Sequence, residues 1–152
     1  MPVDPSVIGK QLPPTTSTIE AGRLRFFAEA IGETNPVFTD LEAARAAGHA
    51  DLPVPPTFLF GIELENPDSF AWLADLGVDL RRVLHGEQSF TYHSTAVAGD
   101  VLTATPTIGN VYSKKGGALQ FIEKTSKVTR ANGDLVAELK SIIVVRNPEA
   151  GK

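Results

Sequence analysis

From Val83 to Val145 the chain is dominated by β-branched residues and broken by turn signals, and this limits its fold more than anything else in the sequence. Strand-like runs cover Glu87–His93, Asp100–Val111, Ala118–Thr129 and Leu135–Arg146. The separators are Ala98-Gly99-Asp100, Lys114-Lys115-Gly116-Gly117 and Ala131-Asn132-Gly133-Asp134. Asn-Gly between two such runs is a strong hairpin signal, because both residues accept the positive φ of a tight turn. Strands joined this closely pair antiparallel, since parallel neighbours need a long crossover. The pattern predicts a β meander.

The first half follows helical spacing. Leu12–Thr18, with Pro13-Pro14 and several hydroxyl residues, suits an edge strand or an extended lead-in. From Glu20, with Thr18 as a candidate cap, Leu24, Phe27, Ala28 and Ile31 fall at i, i+3, i+4 and i+7, the stripe of an amphipathic helix. Gly32 ends that helix. A short Ala-rich helix follows over Leu41–Ala47, stopped by Gly48. The three prolines of Leu52–Pro56 impose an extended approach, after which a further helix is expected from Thr57 through Leu64, closed by Pro67-Asp68. Helices first and hairpin-linked strands later indicate an antiparallel α+β fold and not βαβ units.

The 152 residues suffice for a hydrophobic core, and 42% hydrophobic with 21% charged content is that of a soluble globular domain. No apolar run approaches the ~20 residues of a bilayer span. Zero cysteines remove thiolate nucleophiles, disulfides and cysteine metal sites. A net charge of −4 argues against nucleic acid. The N-terminus lacks the basic and apolar stretches of a secretory signal, so a cytoplasmic location is expected.

Few residues carry chemistry on their own. No histidine or carboxylate set has metal-ligand spacing, and neither a Gly-x-Ser-x-Gly elbow nor a Gly-rich phosphate loop is present, so no metal or cofactor is expected. His85, with Glu87 and Gln88, forms the densest polar cluster of the β half and is a candidate catalytic group, or else a polar residue at a strand start. His49, after Gly48, reads as a surface C-cap residue, and His93 as surface or sheet packing. Lys114 and Lys115 read as a solvated turn able to attract phosphate.

The segment Gly32-Glu33-Thr34-Asn35-Pro36-Val37-Phe38 resembles the active-site loop of the MaoC-like (R)-specific enoyl-CoA hydratases and 3-hydroxyacyl thioester dehydratases, whose pattern is roughly Gly-Asp-x-Asn-Pro-x-His. Leu41–His49 and Val54–Phe58 resemble the segments that follow in that family, particularly in its N-terminal-type dehydratase domains, Leu84–Phe90 with Val97–Leu102 resembles its strand pair with an Ala-Gly-Asp turn, and the likeness covers about Val7 to Val145. It implies one hot-dog domain over residues 1–152, an antiparallel sheet wrapped around a central α-helix. It also implies an acyl thioester of CoA or acyl-carrier protein as substrate, and a homodimer or a heterodimer with a homologous subunit.

The family moves protons with the Asp and His of this loop, where the present chain has Glu33 and Phe38. Glu33 is thus either a catalytic carboxylate displaced by one methylene or a helix-end residue, and Phe38 either a substrate contact or a packing residue. Asn35, Pro56, Thr57 and Phe58 are the further substrate-binding candidates, Thr57 because backbone N–H groups at a helix start can polarise a thioester carbonyl. Two readings of the loop stand, a substrate-binding half whose partner supplies Asp and His, or a homodimer in which Glu33 or His85 takes over. A non-enzymatic acyl-CoA-binding scaffold and a hot-dog thioesterase using Glu33 remain as alternatives.

Overall fold

The computed structural model describes residues 2–150 and contains five strands: β1 (Thr15–Thr18), β2 (Val83–Tyr92), β3 (Val101–Lys114), β4 (Leu119–Arg130) and β5 (Leu135–Arg146). They form one curled antiparallel sheet in the order β1-β3-β4-β5-β2. Only β3, β4 and β5 make the expected meander. The run that starts the β half crosses to the far edge and pairs with the last strand, Val83 facing Val145 and Tyr92 facing Ala137. Leu84–Phe90 and Val97–Leu102 are therefore not a bonded pair, and residues 93–100 form a crossover. Hairpin signals could not reveal this, because nothing local distinguishes pairing with the next strand from pairing with the last.

The turns are built as their residues dictate. Gly133 adopts φ +92°, and Asn132 and Asp134 exchange two hydrogen bonds at 2.9 and 3.0 Å around it. In the Lys114–Gly117 turn, the Lys114 ammonium lies over the stacked rings of Tyr112 and Phe121, 5.6 and 5.1 Å from their centroids.

Three helices lie outside the sheet: α1 (Ala21–Ala30), α2 (Leu41–Ala46) and α3 (Ala71–Asp75). The N-cap of α1 is Glu20 and not Thr18. Leu24 and Ala28 are buried, while Ile31, last of the stripe, is 53% exposed because the helix ends beneath it. α2 starts where Asp40 accepts a 2.8 Å hydrogen bond from the Ala43 amide. None of the described helices is long and apolar enough to cross a membrane.

The central helix expected from Thr57 to Leu64 departs from a regular α-helix. It is a pair of 3-10 turns, Phe58–Gly61 and Glu63–Glu65, running along the concave face of the sheet. Phe58, Leu59 and Ile62 are still buried there against Leu102, Ala104, Val128 and Leu139, so burial was legible although helix type was not. Arg23 of α1 pins the segment, paired to Glu65 at 2.7 Å with its guanidinium over the Phe58 ring.

The core has two parts. One joins α1, α2 and the central segment to the Val128 end of β4, and the other gathers Leu12, Leu73, Ile108, Ile122 and Ile143 at the opposite end. Between them, on the inner face of β4, stand Lys124 and Ser126, both bonded to the Glu63 carboxylate. Lys124 faces Ser141 of β5, and Ser141 faces Gln88 of β2, whose Oε1 accepts from the Ser141 hydroxyl. A polar girdle thus crosses three strands between the two apolar clusters.

β2 bends at Gly86, where the register jumps from His85–Ile143 to Glu87–Ile142. A Cβ at Gly86 would lie 2.9 Å from Val144 Cγ2 and 3.1 Å from the Ile142 carbonyl oxygen. Gly86→Ala is expected to lower stability by about 1–3 kcal/mol through this overpacking. Leu59→Ala, by opening a cavity at a residue only 1% exposed, is expected to cost about 2–5 kcal/mol. Urea unfolding midpoints measure both.

Candidate functional site

The loop after α1 is shaped by short-range bonds. Gly32, at φ +72°, reverses the chain, and the Glu33 amide donates back to the Ala28 carbonyl at 2.9 Å. The Glu33 carboxylate accepts from the Asn35 amide at 2.8 Å, and Asn35 Oδ1 accepts from the Val37 amide at 3.1 Å. Pro36, with φ preset by its ring, opens a single 3-10 turn to Phe38. Arg25 of α1 holds the far side through the Thr39 carbonyl at 3.0 Å. Glu33 and Asn35 thus form the loop's own scaffold, which engages the one carboxylate that could otherwise act on a ligand.

Phe38 faces a groove of about 430 Å³, walled on its side by Val54, Pro56 and Leu59, with Tyr92–Ala96 at the other. Arg130 fixes that second wall, donating to the Thr95 carbonyl at 2.7 Å and the Ser94 hydroxyl at 2.8 Å. Its Nε reaches Asp100, whose carboxylate also accepts from the Val97 amide. Two histidines without a functional role in the sequence reading also line the groove. His49 ends α2, where its amide bonds to the Ala44 carbonyl, and its side chain borders the groove beside Phe38. His93 stands opposite, its Nε2 2.9 Å from Glu138 Oε2 across the strand pair. A carboxylate bonded to one ring nitrogen fixes the orientation of an imidazole. Their separation in sequence hid this. His49 and His93 line one groove because the crossover after β2 folds back over Pro53, which bridges to Val97.

Tyr92 borders the same groove, and burial pushes its phenol up to about 12. It therefore stays a neutral hydroxyl throughout the physiological range.

His85 lies elsewhere. It packs edge-to-face on Phe60, ring centroids 5.4 Å apart, in a second cavity of about 380 Å³ between the central segment and β2. His85 and Tyr92 are seven positions apart along β2, roughly 23 Å at ~3.3 Å per residue, so His85 and the Glu33–Phe38 loop do not share a site. This second cavity is mostly apolar, with Phe70, Trp72, Leu73 and Ile143 among its walls and Glu63 and Lys124 as its charged members. Its size is in the range of small-ligand pockets.

The remaining candidates divide. Pro56 borders the groove. Phe58 is only 6% exposed and sits edge-to-face on Phe27 at 5.4 Å, so it is a core residue and not a lining one. Thr57 is exposed and precedes a four-residue 3-10 turn, and the Phe58 amide is already bonded to the Pro55 carbonyl at 3.0 Å. The regular α-helix start expected there is therefore replaced by a short 3-10 turn, and the Phe58 amide is already engaged. Among the described residues, no group of three or more metal-binding side chains converges.

The sequence and fold have known counterparts. Residues 6–139 match the family described as FAS1-like, dehydratase domain region. A UPF0336 protein of Leifsonia xyli is 42% identical over 150 residues, covering 98% of this chain and 99% of its own. The fold superposes on the C-terminally truncated HadBC (3R-hydroxyacyl-ACP dehydratase) complex of Mycobacterium tuberculosis with a TM-score of 0.75 at 24% identity, over 94% of this chain and 99% of that one. It also superposes on the MaoC-like dehydratase of Rhodospirillum rubrum, TM-score 0.70 at 18% identity, over 93% and 94%. At such identities the structural likeness speaks for the fold alone.

Ultraviolet titration offers a direct check on the groove. One tyrosine ionisation is expected near 12, lost in Tyr92→Phe. Since the shift is upward, Tyr92's contribution to stability is complete below pH 10 and disappears as pH rises through about 12.

Proposed function

Since the chain belongs to the FAS1-like dehydratase family and carries the MaoC-type hot-dog fold, we propose that it is the acyl-binding half of a hydratase/dehydratase for 2-enoyl and 3-hydroxyacyl thioesters of CoA or acyl-carrier protein. A homologous hot-dog subunit supplies the proton-transfer groups. The observation that carries this reading is the loop itself: its turn is intact, yet Glu33 is bonded to the Asn35 amide and Phe38 offers neither a proton nor a lone pair.

Interconverting the two thioesters needs a base and an acid at adjacent carbons and hydrogen-bond donors for the carbonyl oxygen, which gains charge in the transition state. A positioned acid or base contributes typically 10²–10⁴-fold. A phenylalanine in place of the imidazole forfeits that factor, while the apolar cavity beside the central segment retains what an acyl chain needs. Each methylene buried there stabilises the complex by about 0.8 kcal/mol.

A partner is supported by surface and edge together. β2 is an edge strand of ten residues, and Phe60, Leu64, Phe70 and Leu84, each 37–50% exposed, flank it in one band. Unpaired strand edges beside apolar side chains are surfaces that proteins cover. Pairing through β2 would extend the sheet into a second hot-dog subunit.

One observation favours a second reading. The imidazoles of His49 and His93, the latter bonded to Glu138, border the groove that Phe38 faces. A homodimer using His93 as its acid or base would need no other subunit. A thioesterase using Glu33 has less support, since that carboxylate is held by the loop backbone.

Dehydration of 3-hydroxyacyl-CoA by the purified chain distinguishes these readings. Activity is expected only after mixing with a subunit carrying an intact Asp-x-Asn-Pro-x-His loop. Activity of the chain alone, lost in His93→Gln, would favour the homodimer instead, and CoA release would favour a thioesterase. Restoring the pattern with Glu33→Asp and Phe38→His together is expected to raise hydration of 2-enoyl-CoA by the chain alone about 10²-fold.

A further inference from the structure

The cavity proposed above for the acyl chain ends on charge. Glu63, Ser69 and Trp72 line it on one side and on the other line a second cleft of about 270 Å³ that reaches Leu12 and Pro13. The wall between them is thus one side chain thick. Glu63 belongs to that wall, held by Lys124 and Ser126 from β4, and the Lys124 ammonium stands 5.8 Å from the Trp72 ring centroid. The side chains of Lys124 and Glu63 are only 14% and 17% exposed.

Such a pair is an odd choice if stability were its only effect. Two partly buried charges lose much of their hydration, and well-packed apolar residues usually do as well or better. Both Glu63 oxygens are already engaged, one by the Lys124 ammonium and the other by the Ser126 hydroxyl, so the carboxylate is committed to its own cluster. Toward an apolar ligand the pair acts by exclusion. Extending an apolar ligand by one methylene strengthens binding roughly fourfold where the methylene is buried. Pushing it between Glu63 and Lys124 would separate a desolvated pair, weakening binding on the order of a hundredfold or more. A chain of a few extra carbons cannot recover that.

The geometry points to Glu63 and Lys124, braced by Ser126, as the stop that fixes the longest acyl chain the cavity accepts, with the 270 Å³ cleft beyond it closed to substrate. This rests on the acyl-binding reading and adds the residues that set chain-length selectivity. Along β4, Ile122, Lys124, Ser126 and Val128 share one face, so the stop is a polar break within an apolar stripe.

Calorimetric titration of saturated acyl-CoAs of increasing length, with the full chain, tests it. Affinity is expected to rise roughly fourfold per methylene to a limit and then stop rising. In the double variant Glu63→Ala, Lys124→Met, which removes both charges and strands neither, the limit is expected to move out by two or more methylenes. A folded variant with the limit unchanged would overturn the stop and leave acyl binding standing. Absence of binding at every length would sink both. Should the variant fail to fold, acyl-CoAs with a terminal diazirine give the answer in the unaltered protein. Label on Trp72 or Leu73 that never reaches Leu12–Thr15 supports the stop, and label on Leu12–Thr15 overturns it.

Discussion

The sheet of this protein curls around a segment that is barely helical, and the contact that holds them in register is ionic. Glu63 projects from the central segment onto β4, where Lys124 and Ser126 receive it. Breaking a buried pair by removing one partner typically costs about 3–5 kcal/mol, a large part of the 5–15 kcal/mol that keeps a domain folded. Apolar burial acts in rough proportion to area, while a carboxylate paired with an ammonium and a hydroxyl adds a directional constraint on register. With Glu63 placed, Leu59 and Ile62 fall into one half of the core, and the cavity beside β2 acquires an end.

The groove beside Phe38 shows how a loop can keep its form while its chemistry changes. Turn formation depends on Gly32 reaching positive φ, on Pro36 fixing its own φ, and on two backbone amides finding acceptors. Glu33 and Asn35 provide those acceptors. A carboxylate one methylene longer than aspartate reaches the Asn35 amide, and that same reach withdraws it from the groove's interior. The groove still carries titratable side chains, but they come from the end of α2 and from the crossover after β2, the latter on a wall held in place by Arg130.

The limits of a reading from sequence are visible in particular residues. The Asn132-Gly133 hairpin, the bounds of β5 and the Asp40 start of α2 follow from local preferences, and local preferences do not depend on what lies far off in the chain. Phe58 and Thr57 were candidates because their position in a motif suggested a helix start facing ligand. Without that helix, Phe58 turned into the core and Thr57 to solvent. His93 could not be assigned a face because a bulge breaks alternation, and the bulge at Gly86 does intervene between it and His85. Lys124 and Ser126 were discoverable in principle, as two polar residues on the same parity as Ile122 and Val128. What hid them was that nothing in sequence says which parity faces inward.

The order of amino acids alone was enough for the α+β class, the hairpins joining β3, β4 and β5 and the apolar run Phe58–Ile62, and the family resemblance added the cover of the sheet by that run and the replacement of the loop's Asp and His. Each of these depends on residues close together in the chain, where φ preferences, alternation and side-chain identity act directly. Tertiary packing was needed to pair β2 with β5, to part His85 and the loop into different cavities, and to bring His49 and His93 into one. It also carried Glu63 to Lys124 across 61 residues. Those outcomes depend on which distant surfaces bury each other best, a competition over the whole chain that no local pattern encodes.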